Sequence, residues 1–258
     1  MVEVKAERIE ILNIGIHNLT RDEALEYVTQ MAQSDRPHLI CTPNVDYIVK
    51  AQRDEKLRAI INTAHLTIGD GMGVVYASHI LGNPLKMNVG GRLMVPEICK
   101  MAEERGLKVY LLGGKPGVAD RARAQLEQNF PELIISGVHH GYFSENEEKT
   151  IIDKVKDSGC DILFLALGTP KQEEWMAKNQ FALNVPVTIG VGSSLDRISG
   201  DFRSPPKWMT DIGLEWFFRI FQDPWRLGKR YLIEDPIFFF WILKARFNLL
   251  RRFQNKKG

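Results

Sequence analysis

The sequence predicts an α/β protein with a Rossmann-like, mostly parallel sheet covered by helices and a C-terminal helical appendage. Between residues 38 and 192, apolar runs bounded by turn residues alternate with amphipathic stretches of helical length. This alternation is typical of parallel, helix-covered sheets. After Gly200 the alternation of apolar runs and amphipathic stretches ends, and "DFRSPPKWM" carries paired prolines that indicate a boundary. We therefore expect an α/β catalytic body over residues 1–200 and an appendage over residues 201–258.

Each predicted strand is followed by a predicted helix, apart from the last. Thr20 and Glu23 form a capping-box pattern that predicts a helix over residues 21–33. The predicted strands are "IEILNIGI" (a strand or hairpin arm), "HLICT", "HLTIG", "KVYLLGG", "LIISGVHHG", "DILFLALG" and "VPVTIGVG". The helices between them are "VDYIVKAQ", "GVVYASHIL", "GRLMVPEICKMAEERG", "VADRARAQLEQNF", "ENEEKTIIDKVKDSG" and "KQEEWMAKNQ". Two or three short helices follow Gly200.

The charge of the chain is distributed unevenly. The net charge is +2, but residues 203–258 hold 12 Lys and Arg against 5 Asp and Glu, together with 13 of the 24 aromatic residues. A basic, aromatic appendage on an acidic body favours an anionic, apolar partner, namely a membrane surface. The alternative is an amphipathic helix that packs on the body with a solvated basic face. The longest apolar run, "IFFFWIL", is far shorter than the roughly 20 residues that span a bilayer.

Cysteine usage and the N-terminus predict the compartment. Cys41, Cys99 and Cys160 are too scattered for a disulfide framework or a zinc site, so we expect buried free thiols in a reducing compartment. The charged N-terminus lacks the apolar core of a signal peptide. We expect a cytoplasmic protein that is peripheral on the inner face of the cell membrane. Nucleic acid is not an expected partner, because no recognised binding motif accompanies the basic residues. Self-association remains an alternative way to shield the apolar appendage.

Turns rich in glycine and small polar residues follow most of the predicted strands. In an open parallel sheet, ligands bind beyond the carboxyl ends of the strands, where backbone N–H groups at helix N-termini bind anions. Gly113 and Gly114 are suited to close approach to a diphosphate, and Gly168 with Thr169 has the same character on another strand. A dinucleotide-binding fingerprint after the first strand and a P-loop are both absent from the sequence.

Asp70, in "TIGDGMGVVYA", is the sharpest candidate for catalysis. One interpretation is an N-cap for the helix that begins near Gly73. The other is a general base at the ligand edge of the sheet, held by flexible backbone close to substrate. From the pattern alone the two stand even. No metal-ligand motif accompanies Asp70, so we expect no metal there.

Other polar residues at the strand ends have structural alternatives. Thr42 and Asn44 flank Pro43, where a turn with local hydrogen bonds competes with contact to a sugar or to the catalytic base. Gln172 lies in the first turn of a helix, where a polar side chain is usually solvated but can also reach a phosphate or a sugar. For the pair His139 and His140 we favour a structural role, because no third ligand stands at metal spacing.

The ordered set of motifs closely resembles one family. "TPNVDYIV", "IGDGMGVV", "LLGGKPGVA", "ALGTPKQEEW", "GVGSSLD" and "KWMTDIGLEWFFRIFQDPWRLGKRYL" occur in order between about residues 10 and 245. This pattern is similar to the WecG/TagA/CpsF glycosyltransferases, most of all to the TagA branch. The resemblance implies an inverting, metal-independent enzyme without a cofactor. It implies transfer of N-acetylmannosamine from a UDP donor to N-acetylglucosamine on undecaprenyl diphosphate, in synthesis of the wall teichoic acid linkage unit.

The resemblance also assigns roles to residues. Asp70 matches the family's proposed base, Thr42 a polar residue of the same pocket, and Gln172 a donor-side position. On the donor side, the strand ends expected to hold UDP carry Asn44, Gly113, Gly114, Gly168, Gly192 and Asp196. The expected contacts to the diphosphate and acceptor are Arg92, Arg219, Arg226, Lys229 and Arg230.

Two departures and two rivals accompany the resemblance. Asn88 stands where many members have an arginine, and Arg92, one helical turn later, is the candidate replacement; Arg197 stands where an aromatic residue is common. One rival is the same chemistry with UDP-N-acetylmannosaminuronic acid or UDP-glucose. The other is a non-catalytic scaffold that binds lipid and nucleotide, which would bind UDP without consuming a donor.

Overall fold

A computed structural model of the chain describes residues 2–86, 91–201, 209 and 235–255. Strands and helices are numbered here in chain order within those ranges. The strands are β1 (Arg8–Ile11), β2 (Ile14–His17), β3 (His38–Cys41), β4 (Leu66–Thr67), β5 (Lys108–Gly113), β6 (Ile134–His139), β7 (Ile162–Ala166) and β8 (Val187–Gly190). The helices are α1 (Arg21–Ala32), α2 (Val45–Arg53), α3 (Glu55–Thr63), α4 (Met72–Leu81), α5 (Gly91–Arg105), α6 (Val118–Asn129), α7 (Glu145–Asp157), α8 (Lys171–Leu183), α9 (Ser194–Ile198) and α10 (Asp235–Asn255).

Six strands form a parallel sheet in the order β4-β3-β8-β7-β5-β6, and this confirms the predicted α/β class. All residues of β3, β7 and β8 are buried. Strands covered on both sides read as continuous apolar runs, which is why "ILFLA" and "HLIC" are recognisable in the sequence. The strands β1 and β2 pair antiparallel as a separate hairpin, so "IEILNIGI" supplies two hairpin arms rather than one strand of the main sheet.

The helices divide between the two faces of the sheet. On the first face, α2, α3, α7 and α8 contact one another and share one apolar cluster that includes Tyr47, Leu163 and Trp175. On the second face, α1, α5, α6 and α9 share another cluster that includes Phe164 and Ile189. Cys41, Cys99 and Cys160 are buried and unbridged, which confirms the prediction of free thiols.

This division creates a switch point in the sheet. The neighbouring strands β5 and β7 are followed by α6 on the second face and α8 on the first face. Where successive connections leave in opposite directions, a crevice opens beyond the carboxyl ends of the strands, and ligands of α/β proteins bind in such crevices. We therefore expect the turns after β5 and β7 to contact a ligand.

The helix α10 packs on the α/β body. Phe238 and Ile242 are fully buried in the first-face cluster against α2 and α4, and Arg246 Nη1 donates to the carbonyl of Leu81 at 3.1 Å. Its other side leaves Phe240 and Leu243 exposed. Within the described ranges, no helix combines the length and the apolar character needed to cross a bilayer.

The hairpin is joined to the main sheet through the ring of His17. Thr67 N donates to Nδ1 and Arg8 Nε to Nε2, each at 3.0 Å. A neutral imidazole has a single acceptor nitrogen, so the ring accepts from only one of these donors at a time. The imidazolium has no acceptor and would face both donors with N–H groups, which disfavours it. Burial, with a smaller effect of the Arg8 charge, lowers the pKa of His17 to about 4. Burial also lowers the pKa values of His38 and His65.

We expect these buried imidazoles to weaken the fold in acid. Between pH 6.5 and about 4 the unfolded chain binds a proton at His17 that the folded chain does not, so the free energy of unfolding declines as pH falls. Above pH 6.5 the effect is absent. Urea denaturation of wild type and His17→Gln across pH 4–8 measures it, with the exposed His79→Gln as control. An equally steep acid slope in His17→Gln would contradict this assignment.

Candidate active site

The polar residues singled out in the sequence lie along one edge of the sheet. Following the strand order, Asp70 comes after β4, Thr42 after β3, Gly192 after β8, Gly168 after β7 and Gly113 at the end of β5. Neighbouring strands are about 4.8 Å apart, so the row from β4 to β5 extends over roughly 19 Å.

Asp70 precedes α4 without being its N-cap. The N-cap is Gly71, with φ +90° and no side-chain cap bond, so the capping interpretation of Asp70 is wrong. Asp70 N donates to the carbonyl of Pro43 at 2.9 Å, and this bond ties the loop to the end of β3. Gly69 is tightly packed, since an added Cβ would lie 3.2 Å from Val74 Cγ1. The half-buried carboxylate therefore sits on a fixed backbone at the ligand edge.

Thr42 and Asn44 use their side chains in different ways. Thr42 Oγ1 donates to the carbonyl of Gly190 at 2.7 Å, a bond across the sheet instead of the local bond expected of a turn. Asn44 is the N-cap of α2, and its Oδ1 accepts from Tyr47 N at 3.1 Å. The local interpretation therefore describes Asn44, while Thr42 joins the ends of β3 and β8.

Gln172 is buried at the end of β8. Its side chain is 1% exposed, which excludes the solvated alternative and leaves the donor-side role as a prediction. Gln172 Oε1 accepts from Gly192 N at 3.2 Å, and Nε2 would lie 2.8 Å from a Cβ added at Gly190. Thr42, Gly190, Gln172 and Gly192 thus form one connected group around the end of β8. Asp196 lies in the first turn of the helix that follows, half-buried.

The switch point between β5 and β7 is built from glycines. A Cβ at Gly113 would overlap the carbonyl of Ala166, and Gly114 N donates to that carbonyl at 3.0 Å. Gly168 has φ +77° and open space where a Cβ would stand. The N–H groups of Gly114 and Gly192 already donate to acceptors within the protein. These two positions would therefore let a ligand approach the backbone closely, but they do not supply it with a free hydrogen-bond donor.

Two charged residues at this edge escaped the sequence analysis. Lys50 Nζ contacts Asp46 Oδ2 at 3.0 Å and the carbonyl of Thr169 at 3.3 Å, which links α2 to the turn after β7. Glu173 is fully buried beside Gln172. Neither role has a sequence signal, because both depend on contacts between elements distant in the chain.

Several predicted contacts fall outside the described residues. Arg219, Arg226, Lys229 and Arg230 lie there, as does Asn88, and the side chain of Arg92 is not described although its backbone belongs to α5. His139 and His140 stack with ring centroids 4.5 Å apart, and His139 Nδ1 lies 2.8 Å from the carbonyl of His140. Within the described ranges, no three His, Cys, Asp or Glu side chains are grouped as metal ligands would be.

Comparison with known proteins identifies the family of the chain. Residues 9–252 match the family model described as "Glycosyl transferase WecG/TagA/CpsF family". The chain belongs to the WecG/TagA/CpsF glycosyltransferases. The resemblance seen in the motifs is therefore confirmed, and the edge described above is the candidate active site of a glycosyltransferase.

Similar relatives within this family come from Staphylococcus aureus. The protein of strain MW2 is 32% identical over 241 residues, which are 93% of either chain, and is named N-acetylglucosaminyldiphosphoundecaprenol N-acetyl-beta-D-mannosaminyltransferase. The proteins of strains NCTC 8325 / PS 47 and MRSA252 carry the same name and are 32% and 31% identical over the same share of each chain. The likeness thus spans both the α/β body and most of the appendage.

We expect Gly113→Ala to disrupt the switch point. The new methyl group would overlap the Ala166 carbonyl at a φ of +142°, so the free energy of unfolding should fall by at least about 2 kcal/mol. Gly159→Ala is the matched control, because it has φ +60° with open space and should cost only about 1 kcal/mol. Chemical denaturation measures the free energy of unfolding of each variant, and UDP titration measures its binding of the nucleotide. Equal losses in the two variants would show that crowding at Ala166 is unimportant.

Proposed function

We propose that this protein is an inverting glycosyltransferase that moves N-acetylmannosamine from UDP-N-acetylmannosamine to undecaprenyl-diphosphate-linked N-acetylglucosamine, in synthesis of the wall teichoic acid linkage unit. The observation that carries the proposal is the half-buried Asp70, which lies on the same edge as a glycine-lined switch point. Family membership and the names of the S. aureus relatives support the sugar and the acceptor.

In the proposed reaction Asp70 is the general base. It takes the proton of the acceptor hydroxyl as that oxygen bonds to the anomeric carbon of the donor sugar. The bond from the anomeric carbon to the β-phosphate oxygen breaks on the opposite side, and UDP leaves with the electron pair. A single displacement of this kind inverts the anomeric configuration. Thr42 holds the neighbouring strand end, so the base and the donor stay in register.

The charge that develops on UDP requires positive partners. Backbone N–H groups of the strand-end turns and the cations of the appendage would supply them, without a metal ion. We assign Arg219, Arg226, Lys229 and Arg230 to this role on the family resemblance, with Arg92 in place of the arginine replaced by Asn88. The nucleotide itself would lie across Gly113, Gly114 and Gly168, with Asn44, Gln172, Gly192 and Asp196 on the donor side.

An exposed apolar surface beside Asp70 fits a lipid-linked acceptor. The helix α4 begins two residues after Asp70, and Met72 and Tyr76 project from it with 42% and 52% exposure. The helix α10 packs on α4 and adds exposed Phe240, Leu243 and Phe247. We propose that this surface rests on the cytoplasmic membrane face, which brings the acceptor sugar to Asp70 while its lipid stays in the bilayer.

Asp70→Asn tests the base. The amide keeps the shape but accepts no proton, so acceptor-dependent UDP release should fall by about 10²- to 10⁴-fold. The Kd for UDP should change less than about twofold, since the nucleotide lies several strands away. Asp120→Asn, on the exposed side of α6, is the control.

The same assay separates the rivals. Near-normal turnover by Asp70→Asn would refute the base assignment. If wild type releases UDP only from UDP-N-acetylmannosaminuronic acid or UDP-glucose, the donor is wrong but the transferase stands. If it binds UDP and consumes no donor with the lipid acceptor present, the protein is a scaffold.

Outward-facing residues of α10 test membrane association. The combined Phe240→Ser, Leu243→Ser and Phe247→Ser variant should lose at least about tenfold in binding to phosphatidylglycerol vesicles, because each side chain contributes apolar area to the bilayer interface. Phe181→Ser, which removes an 83% exposed phenylalanine from α8, is the control. Flotation with vesicles measures the bound fraction. Unchanged flotation of the triple variant would mean that α10 is not the contact surface.

A further inference from the structure

The carboxyl of Glu173 lies in the interior, directly beneath the candidate active site. Its side chain is 0% exposed, and neither carboxyl oxygen has a hydrogen-bond partner of standard geometry among the described residues. The hydroxyl of Tyr47 is buried nearby and also has no hydrogen-bond partner of standard geometry among the described residues. Carboxylates in the first turn of a helix are stabilised by the helix dipole, but they are normally solvated, as the side chain of Glu174 is. Glu173 therefore requires a reason for its burial.

The surroundings of Glu173 favour the neutral acid. The groups that interact with it are Tyr47 of α2, Cys41 of β3, Gln172 of α8, the Thr169 side chain and its own backbone amide. None of them is a cation. Isolated buried carboxylates are costly, so the group keeps its proton. Burial raises the pKa of Glu173 to about 7, against a smaller opposite effect of hydrogen bonding by Tyr47 and Gln172.

The charged groups of the adjoining helices already have partners. On α2, Lys50 contacts Asp46 at 3.0 Å. On α3, Lys56 contacts Glu174 at 3.3 Å, and on α7 Glu148 pairs with Lys178 of α8 at 2.7 Å. None of these pairs brings a counter-charge to Glu173 within the described part of the chain.

Glu173 is in contact with the group that forms the floor of the site. A Cβ at Gly190 would lie 3.3 Å from Glu173 Oε1 and 2.8 Å from Gln172 Nε2, so both side chains lie against this glycine. The carbonyl of Gly190 accepts from Thr42, and Gln172 Oε1 accepts from Gly192 N. The Glu173 carboxyl is therefore packed against the groups that join the ends of β3 and β8.

We propose that Glu173 is a positioning residue, whose neutral carboxyl braces Gln172 and Gly190 from beneath and thereby holds Thr42 and the Gly192 turn in place for transfer. The inference deepens the proposed function and rests on it for its kinetic part. When Glu173 ionises, its carboxylate attracts the Gln172 amide N–H groups and the Tyr47 hydroxyl as hydrogen-bond donors. The bond from Gly192 N to Gln172 then weakens, and the turn after β8 loosens.

The test compares Glu173→Gln, a neutral isostere, with wild type. We expect wild-type kcat to fall about tenfold per pH unit above pH 7, as the neutral fraction falls, whereas kcat of Glu173→Gln stays level. Glu173→Leu, which fills the space without hydrogen bonding, should lose at least tenfold in kcat at pH 6.5, where Glu173→Gln stays near wild type. Glu174→Gln, which alters the exposed neighbour, should keep the wild-type profile.

A second readout needs no donor sugar. Amide hydrogen exchange at Gly192, taken as the ratio of wild type to Glu173→Gln, should be near one at pH 6 and rise above pH 7. If no UDP sugar turns over in wild type, the proposed function fails while this ratio still tests Glu173. An exchange ratio that stays at one, or an identical alkaline decline of kcat in both proteins, would overturn the positioning role. If Glu173→Leu does not fold, the comparison with Glu173→Gln decides alone.

Discussion

The hydrogen bond from Thr42 Oγ1 to the carbonyl of Gly190 joins two neighbouring strand ends, and the rest of the candidate site is arranged around it. The residue that accepts this bond has no side chain, and a Cβ added to it would lie 2.8 Å from Gln172 Nε2 and 3.3 Å from Glu173 Oε1. Gln172 then reaches the Gly192 amide, and Pro43, next to Thr42, accepts from the amide of Asp70. A single glycine thus lets four loops come together at one edge.

Much of the fold was predictable because it depends on local patterns. The buried strands are short apolar runs, and helix starts such as the Thr20–Glu23 capping box carry their own signal. The helix α3 was missed because it follows α2 after a single residue, Asp54, which caps it. The hairpin pairing of β1 with β2 was left open, since the same residues could have formed one strand.

The site was predictable in location but not in detail. Parallel strands bring their carboxyl ends to one edge, so a glycine or a polar residue after each strand could be placed there from the sequence. Which of them faces a ligand depends on contacts across the sheet. The sequence left Gln172 open between solvent and a ligand contact, and it left Thr42 open between a local bond and a ligand contact. In the structure Gln172 is buried and Thr42 bonds to β8, while Glu173 gave no signal. Those outcomes follow from how α8 lies against Gly190, which no local pattern encodes.

In the proposed function, the strand order also separates the two substrates. The glycine-lined crevice lies between β5 and β7, while Asp70 follows β4 at the far end of the row. The exposed side chains of α4 and α10 are on the Asp70 side, where a lipid-linked acceptor would arrive. In the proposed function, a nucleotide sugar held over the crevice would extend across the ends of β8 and β3 to meet Asp70. The end of β8 lies on that path, so the proposed role of Gln172 and Glu173 in holding it from beneath bears on how the donor reaches Asp70.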